Sequence, residues 1–303
     1  MHIPKPPHGI ARRTALVTGS SSGIGIAIAR TLGSMGFNVG LTKMPQETSE
    51  YLDPLTKQLR EVYGVECEVF ITDLQVPETA APKLMAEHIA RFGRIDVLCN
   101  NAGWASHAGK RFMDLADDSA GLLKLVRSGF AVNYEAAVAL SFEAVRHFRR
   151  QSPPDDRESP RNADDPDLEA GFYTSKWGTG RIINTNSVHG FTPLPKSSIY
   201  TMAKHALRGL TVFLAAELGA EGVTVNGVAP GMVATPQTEI EPNNVDNIPL
   251  PGIYTPRPGL PNEVAALIGF LASIGGAYTT AQTIKVDGGF CNTNPQYLWR
   301  KDL

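Results

Sequence analysis

Apolar residues recur along this chain in two rhythms. Short, near-continuous apolar runs stand at residues 14–18 (TALVT), 37–42 (FNVGLT), 66–73 (ECEVFITD), 94–103 (RIDVLCNNAG), 180–187 (GRIINTNS), 222–231 (GVTVNGVAPG) and 282–289 (QTIKVDGG). Between them lie stretches whose apolar residues repeat every three or four positions, at 24–35, 77–92, 119–147, 198–219 and 261–273. The first kind predicts strands and the second helices. Strands without a polar face must be covered on both sides, which calls for a parallel sheet with helices on each. Right-handed crossovers then lead to an α/β, Rossmann-type doubly wound fold: a seven-stranded, mainly parallel sheet with helices on both faces. One domain spanning residues 1–303 accommodates all of it.

Two stretches break the alternation. Residues 151–176 are dense in Pro, Asp, Arg and Ser where a few connecting residues would suffice, and they predict a surface insertion. Residues 236–261 are rich in Pro and Asn and follow the sixth strand. Ligands of open parallel sheets bind outside the carboxyl ends of the strands, so this segment is a candidate substrate lid.

Composition narrows the partners. With 28 Lys plus Arg against 30 Asp plus Glu, the net charge of −2 offers no electrostatic case for nucleic acid or an acidic membrane. No apolar run is long enough to span a bilayer, and the start, MHIPKPPHGIARR, has no apolar core of a secretory signal. Cys67, Cys99 and Cys291 are far apart and fit no metal spacing. A reducing, cytoplasmic setting and no metal are expected.

The turn VTGSSSGIG (17–25) joins the first strand to the first helix. Gly19, Gly23 and Gly25 permit a tight turn, and free N–H groups at a helix start face a pyrophosphate. No GK[ST] follows, which disfavours a nucleoside triphosphate loop. An acid at the end of the second strand favours NAD, and a base accommodates the 2′-phosphate of NADP. Lys43 stands there, and no acid appears until Glu47. NADP(H) is favoured and NAD(H) stays open.

In SSIYTMAK (197–204), Tyr200 and Lys204 are four residues apart and share a helix face. An unperturbed tyrosine titrates near about 10, and an ammonium one turn away favours its phenolate. Ser187, at the end of the fifth strand, can donate a hydrogen bond to a substrate oxygen.

Taken in order, these motifs resemble the short-chain dehydrogenases/reductases, over roughly residues 12 to 291. The similarity is greatest to the compact branch with 3-oxoacyl-acyl-carrier-protein reductases and sugar, polyol and steroid dehydrogenases. TGSSSGIG is similar to the family's cofactor loop, with Gly19, Ser21, Ser22, Gly23, Ile24 and Gly25. The resemblance implies that Asp73 and Leu74 of TDL flank the adenine, and that Asn101, Ala102 and Gly103 of NNAG lie beside a ribose. It also implies that Pro230, Gly231, Val233 and Thr235 of PGMVAT hold the nicotinamide carboxamide. Ser187, Tyr200 and Lys204 become the catalytic set, with Lys204 also reaching the nicotinamide ribose. Asn133 extends a proton relay through a water held by its main chain. Trp104, after NNAG, and His189, two residues after Ser187, are candidates for the substrate wall.

The implied activity is an NAD(P)(H)-dependent interconversion of a ketone and a secondary alcohol, with tyrosine as acid and base, on a 3-oxoacyl thioester, a sugar or polyol, or a cyclic ketone. The resemblance also implies a homo-oligomer, tetramer or dimer, because the helices at 119–147 and 198–219 resemble those of the family's interface. Two rivals remain. A sugar-nucleotide epimerase or dehydratase also uses YxxxK, though such chains add a larger C-terminal domain. A non-catalytic cofactor sensor predicts loss of Ser187, Tyr200 or Lys204, and all three are present. The departures from the family pattern are the 151–176 insertion, Ala281 where glycine is common, and a long tail carrying Tyr297 and Trp299.

Overall fold

The structure is a computed structural model and describes residues 12–105, 109–151 and 178–293. Seven strands form one sheet: β1 (Thr14–Val17), β2 (Asn38–Lys43), β3 (Cys67–Ile71), β4 (Val97–Asn100), β5 (Gly180–Thr185), β6 (Val223–Pro230) and β7 (Thr283–Val286). Their order is β3-β2-β1-β4-β5-β6-β7, and every pairing is parallel. The sheet is thus wholly rather than mainly parallel.

The helices are α1 (Gly23–Ser34), α2 (Leu52–Glu61), α3 (Pro77–Phe92), α4 (Ser119–Phe130), α5 (Ala136–Phe148), α6 (Ser198–Leu218) and α7 (Pro261–Ala272). Alternation of side chains along the strands divides the core in two. Ala15, Val17 and Ile183 join Ile28, Leu32, Leu55, Leu59, Ile268 and Leu271 on the face covered by α1, α2 and α7. Leu16, Leu98 and Ile182 join Leu84, Met85, Leu140, Phe148 and Leu218 on the face covered by α3, α5 and α6. Each fully buried leucine contributes roughly 1.5–3 kcal/mol. In the polar run LDPLTKQLRE of α2, the buried Leu52, Leu55 and Leu59 carry the helical spacing and dock it on the sheet.

The stretch at 119–147 is not one continuous helix. A wide π turn at Ala131–Glu135 separates α4 from α5. Within it the Asn133 carboxamide donates to the Gly129 carbonyl at 2.9 Å. A side chain competing for the backbone acceptor four residues back is a physical cause for widening the helix there.

The candidate lid has structure of its own. It carries 3₁₀ turns at Pro236–Thr238 and Pro242–Asn247. Its base is tied where Ala234 N donates to Gly259 O and Gly259 N donates to Met232 O, both at 2.9 Å. Its far limb bonds the last turn of the described chain, Thr255 N to Gly288 O at 2.9 Å. The expected insertion at 151–176 lies outside the described residues from 152 onward, as do Tyr297 and Trp299.

Candidate active site

The strand order reverses between β1 and β4, so the segments leaving these strands diverge and open a crevice. The two segments are laced together beside it. Thr18 Oγ1 accepts from Asn101 N at 2.9 Å and from Ala102 N at 3.0 Å, and Asn101 Nδ2 donates to Thr18 O and Gly19 O, both at 3.0 Å. Such bonds are worth about 1 kcal/mol each, and together they fix the glycine turn against NNAG. Gly19 has φ 61°, and a Cβ there would lie 2.8 Å from Ala102 Cα. A side chain on Gly25 would run into the Gly19 carbonyl, so α1 can begin only this close to the turn without one. Thr42 Oγ1 accepts from Gly19 N at 2.9 Å and holds the loop to β2.

A cleft of about 530 Å³ runs from this turn across the carboxyl ends of the strands. Every residue expected to hold a cofactor lines it: the glycine turn, Lys43, Asp73, Leu74, Asn101, Ala102, Gly103, Tyr200, Lys204, Pro230, Gly231, Val233 and Thr235. Ser187 and Trp104 line it too, whereas Asn133 and His189 do not. The donor-rich glycine turn, the exclusion of a Cβ at Gly19 and Gly25, and the elongated cleft fit a nicotinamide dinucleotide.

At one end, Ser187, Tyr200 and Lys204 converge. Ser187 begins a 3₁₀ turn, where its Oγ accepts from His189 N at 3.2 Å. Lys204 sits one turn beyond Tyr200 on α6, buried, with Nζ 5.5 Å from the Tyr200 ring centroid. It donates to the Thr185 carbonyl at 2.8 Å. Burial pulls the Lys204 ammonium down to about 8. Burial also raises the Tyr200 phenol above its ordinary value, with the Ser187 hydroxyl acting the other way. This departs from the lowering expected of a neighbouring ammonium. The reason is that desolvation of the buried phenolate outweighs the help it receives.

Asn133 reaches the site through Trp104. Its Nδ2 donates to Trp104 O at 3.0 Å, and its Oδ1 accepts from Trp104 N at 3.2 Å. A Cβ on Gly103 would lie 2.7 Å from Asn133 Oδ1 and 3.4 Å from Lys204 Nζ, so glycine leaves room for both. His189 packs edge-on to Tyr200, with centroids 6.1 Å apart and planes at 73°. Its ring stands beside Tyr200 rather than on the cleft wall, and burial lowers its basicity, with the Thr192 backbone carbonyl acting the other way.

Sequence reasoning missed Gln75, Asn186 and Gln237, which also line the cleft, as does Glu47, noted there only as the first acid after β2. Their signal lay only in adjacency to strand ends. Among the described residues no group of three His, Cys, Asp or Glu could hold a metal, and no helix is long and apolar enough to cross a membrane.

Comparison with known proteins agrees with this geometry. The short chain dehydrogenase family model matches residues 13–153, and the enoyl-(acyl carrier protein) reductase model matches residues 170–291. The chain is 38% identical over 288 residues to the uncharacterized oxidoreductase YohF of Escherichia coli strain K12, covering 94% of this chain and 98% of that one. It is 31% identical over 277 residues to acetoacetyl-CoA reductase of Allochromatium vinosum, covering 91% and 98%. Acetoin dehydrogenase YohF from Salmonella typhimurium superimposes with a TM-score of 0.75 at 36% identity, covering 94% of this chain and 98% of that structure.

Proposed function

This chain belongs to the short-chain dehydrogenase/reductase family of oxidoreductases, which bind nicotinamide cofactors, and from that premise we propose that it interconverts a ketone and a secondary alcohol with Tyr200 as acid and base. The observation that carries this reading is the convergence of Ser187, Tyr200 and Lys204 in the same cleft that the glycine turn lines.

The bound nicotinamide supplies or accepts the hydride; the remaining work belongs to the chain's own side chains. In the reducing direction Ser187 donates to the carbonyl oxygen and polarises it. His189 N donates to Ser187 Oγ, so the serine oxygen is held as acceptor there and its own O–H is the group to donate. Tyr200 O–H delivers the proton as charge develops on that oxygen. Lys204 supports the phenolate that remains, and its burial strengthens that attraction. The Asn133 carboxamide, fixed on Trp104, holds the wall in place. In oxidation each proton moves the other way.

For substrate we favour a small ketone or hydroxyketone of the acetoin kind, with a 3-oxoacyl thioester next. The acetoin dehydrogenase and acetoacetyl-CoA reductase relatives support this order, and Trp104, 40% exposed, supplies an apolar wall for such a chain. His189 would contact only a substrate large enough to pass Tyr200. Lys43 at the end of β2 supports NADP(H) over NAD(H). Self-association is supported by apolar side chains left outward, Val138 and Phe142 on α5 and Met202, Val212 and Phe213 on α6. The three free cysteines support a reducing compartment such as the cytoplasm. Assay of wild type against Tyr200→Phe with acetoin, diacetyl and acetoacetyl-CoA tests the reading; oxidation or reduction of all three at equal rates by both proteins would overturn it.

A further inference from the structure

The adenosine end of the cleft lies where β2 ends, at Thr42–Lys43–Met44, opposite Asp73. Two donors there suit an anion: the Lys43 ammonium and the Met44 backbone N–H. The following turn folds back and occupies both. Lys43 Nζ donates to Glu47 O at 3.0 Å and to Ser49 Oγ at 3.2 Å. Met44 N donates to the Glu47 carboxylate at 2.8 Å. Glu47 also lines the cleft.

We propose that Glu47 sets the cofactor preference, its carboxylate standing as an internal anion on the donors a 2′-phosphate would use. This rests on the reading of the cleft as a nicotinamide dinucleotide site. Two effects act in the same direction. A 2′-phosphate must take the Met44 N–H from a charge-assisted bond, and it brings a like charge toward the carboxylate. A free 2′-hydroxyl does neither, and Glu47 Oε1 remains available to accept from it. Lys43 alone would favour NADP(H) strongly; Glu47 narrows that margin. The pair therefore acts as a balance, with Lys43 attracting the phosphate and Glu47 opposing it.

The test is direct binding, read from the fluorescence of NADH and NADPH titrated separately with wild type, Glu47→Gln and Glu47→Ala. The glutamine keeps an acceptor for Met44 N–H without the charge, and the alanine removes both. The ratio of NADPH affinity to NADH affinity should rise about five- to tenfold in both variants. NADH binding with an unchanged ratio in both would overturn the role of Glu47 and leave the cleft's assignment standing. A ratio that falls would overturn it equally and assign Glu47 to holding the turn for NADP(H). Failure of wild type and both variants to bind either dinucleotide would overturn this proposal and the assignment of the cleft together.

Discussion

The side-chain amide of Asn133 and the backbone of Trp104 form a two-point contact, Nδ2 to O at 3.0 Å and N to Oδ1 at 3.2 Å. It joins the π turn between α4 and α5 to the segment leaving β4, and it sets where Trp104 stands on the cleft wall. Asn133→Ala removes both bonds and the one to Gly129, and should destabilise the fold by about 1–3 kcal/mol. Turnover should fall about 10- to 100-fold, because the Trp104 wall loses its anchor. Steady-state kinetics beside a urea titration separates the two effects. Gly103→Ala should act similarly, since its Cβ would press on Asn133 Oδ1.

Lys204 is a functional group kept at the expense of stability. Its folded pKa, about 8, lies below the ordinary 10.5. A base depressed in this way stabilises fully above the unfolded value, and that contribution is lost as pH falls through about 8. At neutral pH the buried ammonium is therefore a liability. Lys204→Met should abolish turnover yet raise the thermal midpoint of the cofactor-free protein by about 2–4 °C, less whatever the unpaired Thr185 carbonyl costs. Differential scanning calorimetry checks the sign; a lowered midpoint would contradict it.

His88 makes the fold acid-sensitive. It is buried between α3 and the sheet, its Nε2 3.2 Å from Thr14 Oγ1, and burial pushes it down to about 3 from 6.5. Below about 6.5 the unfolded chain binds a proton that the folded chain refuses. Stability is then lost progressively as pH falls from about 6.5 to about 3, by at most about 5 kcal/mol. Between pH 7 and pH 5 the loss from this residue should be about 2 kcal/mol. Urea midpoints at the two pH values, compared with His88→Leu, isolate it.

Phe142 is 65% exposed and Phe213 57%, which is costly for aromatics on a free surface. Phe142→Glu should lower the mass measured by light scattering to that of a smaller assembly, with the circular dichroism unchanged. An unchanged mass would contradict self-association through α5.

The central strands were legible because they lie between two helical layers and are buried almost throughout. The ordered motifs were legible because strand ends at one edge of the sheet are where a ligand must bind. The π turn at Ala131–Glu135 was hidden: it depends on Asn133 reaching Gly129 and a partner 29 residues away in Trp104. Glu47 was hidden because only the folded turn returns its carboxylate to Met44. His189, anticipated from its offset to Ser187, lies on a short 3₁₀ turn with its ring edge-on to Tyr200, a packing the offset alone does not give. The direction of the Tyr200 shift could not be read from an i, i+4 pair, since burial decides it.

The central claim is that Tyr200 supplies the proton for carbonyl reduction. Its most direct test follows absorbance of the reduced nicotinamide during turnover of diacetyl, for wild type and Tyr200→Phe, with cofactor affinity measured on both. Turnover should fall about 10²–10⁴-fold with cofactor affinity nearly retained. Equal turnover by the two proteins would contradict the account.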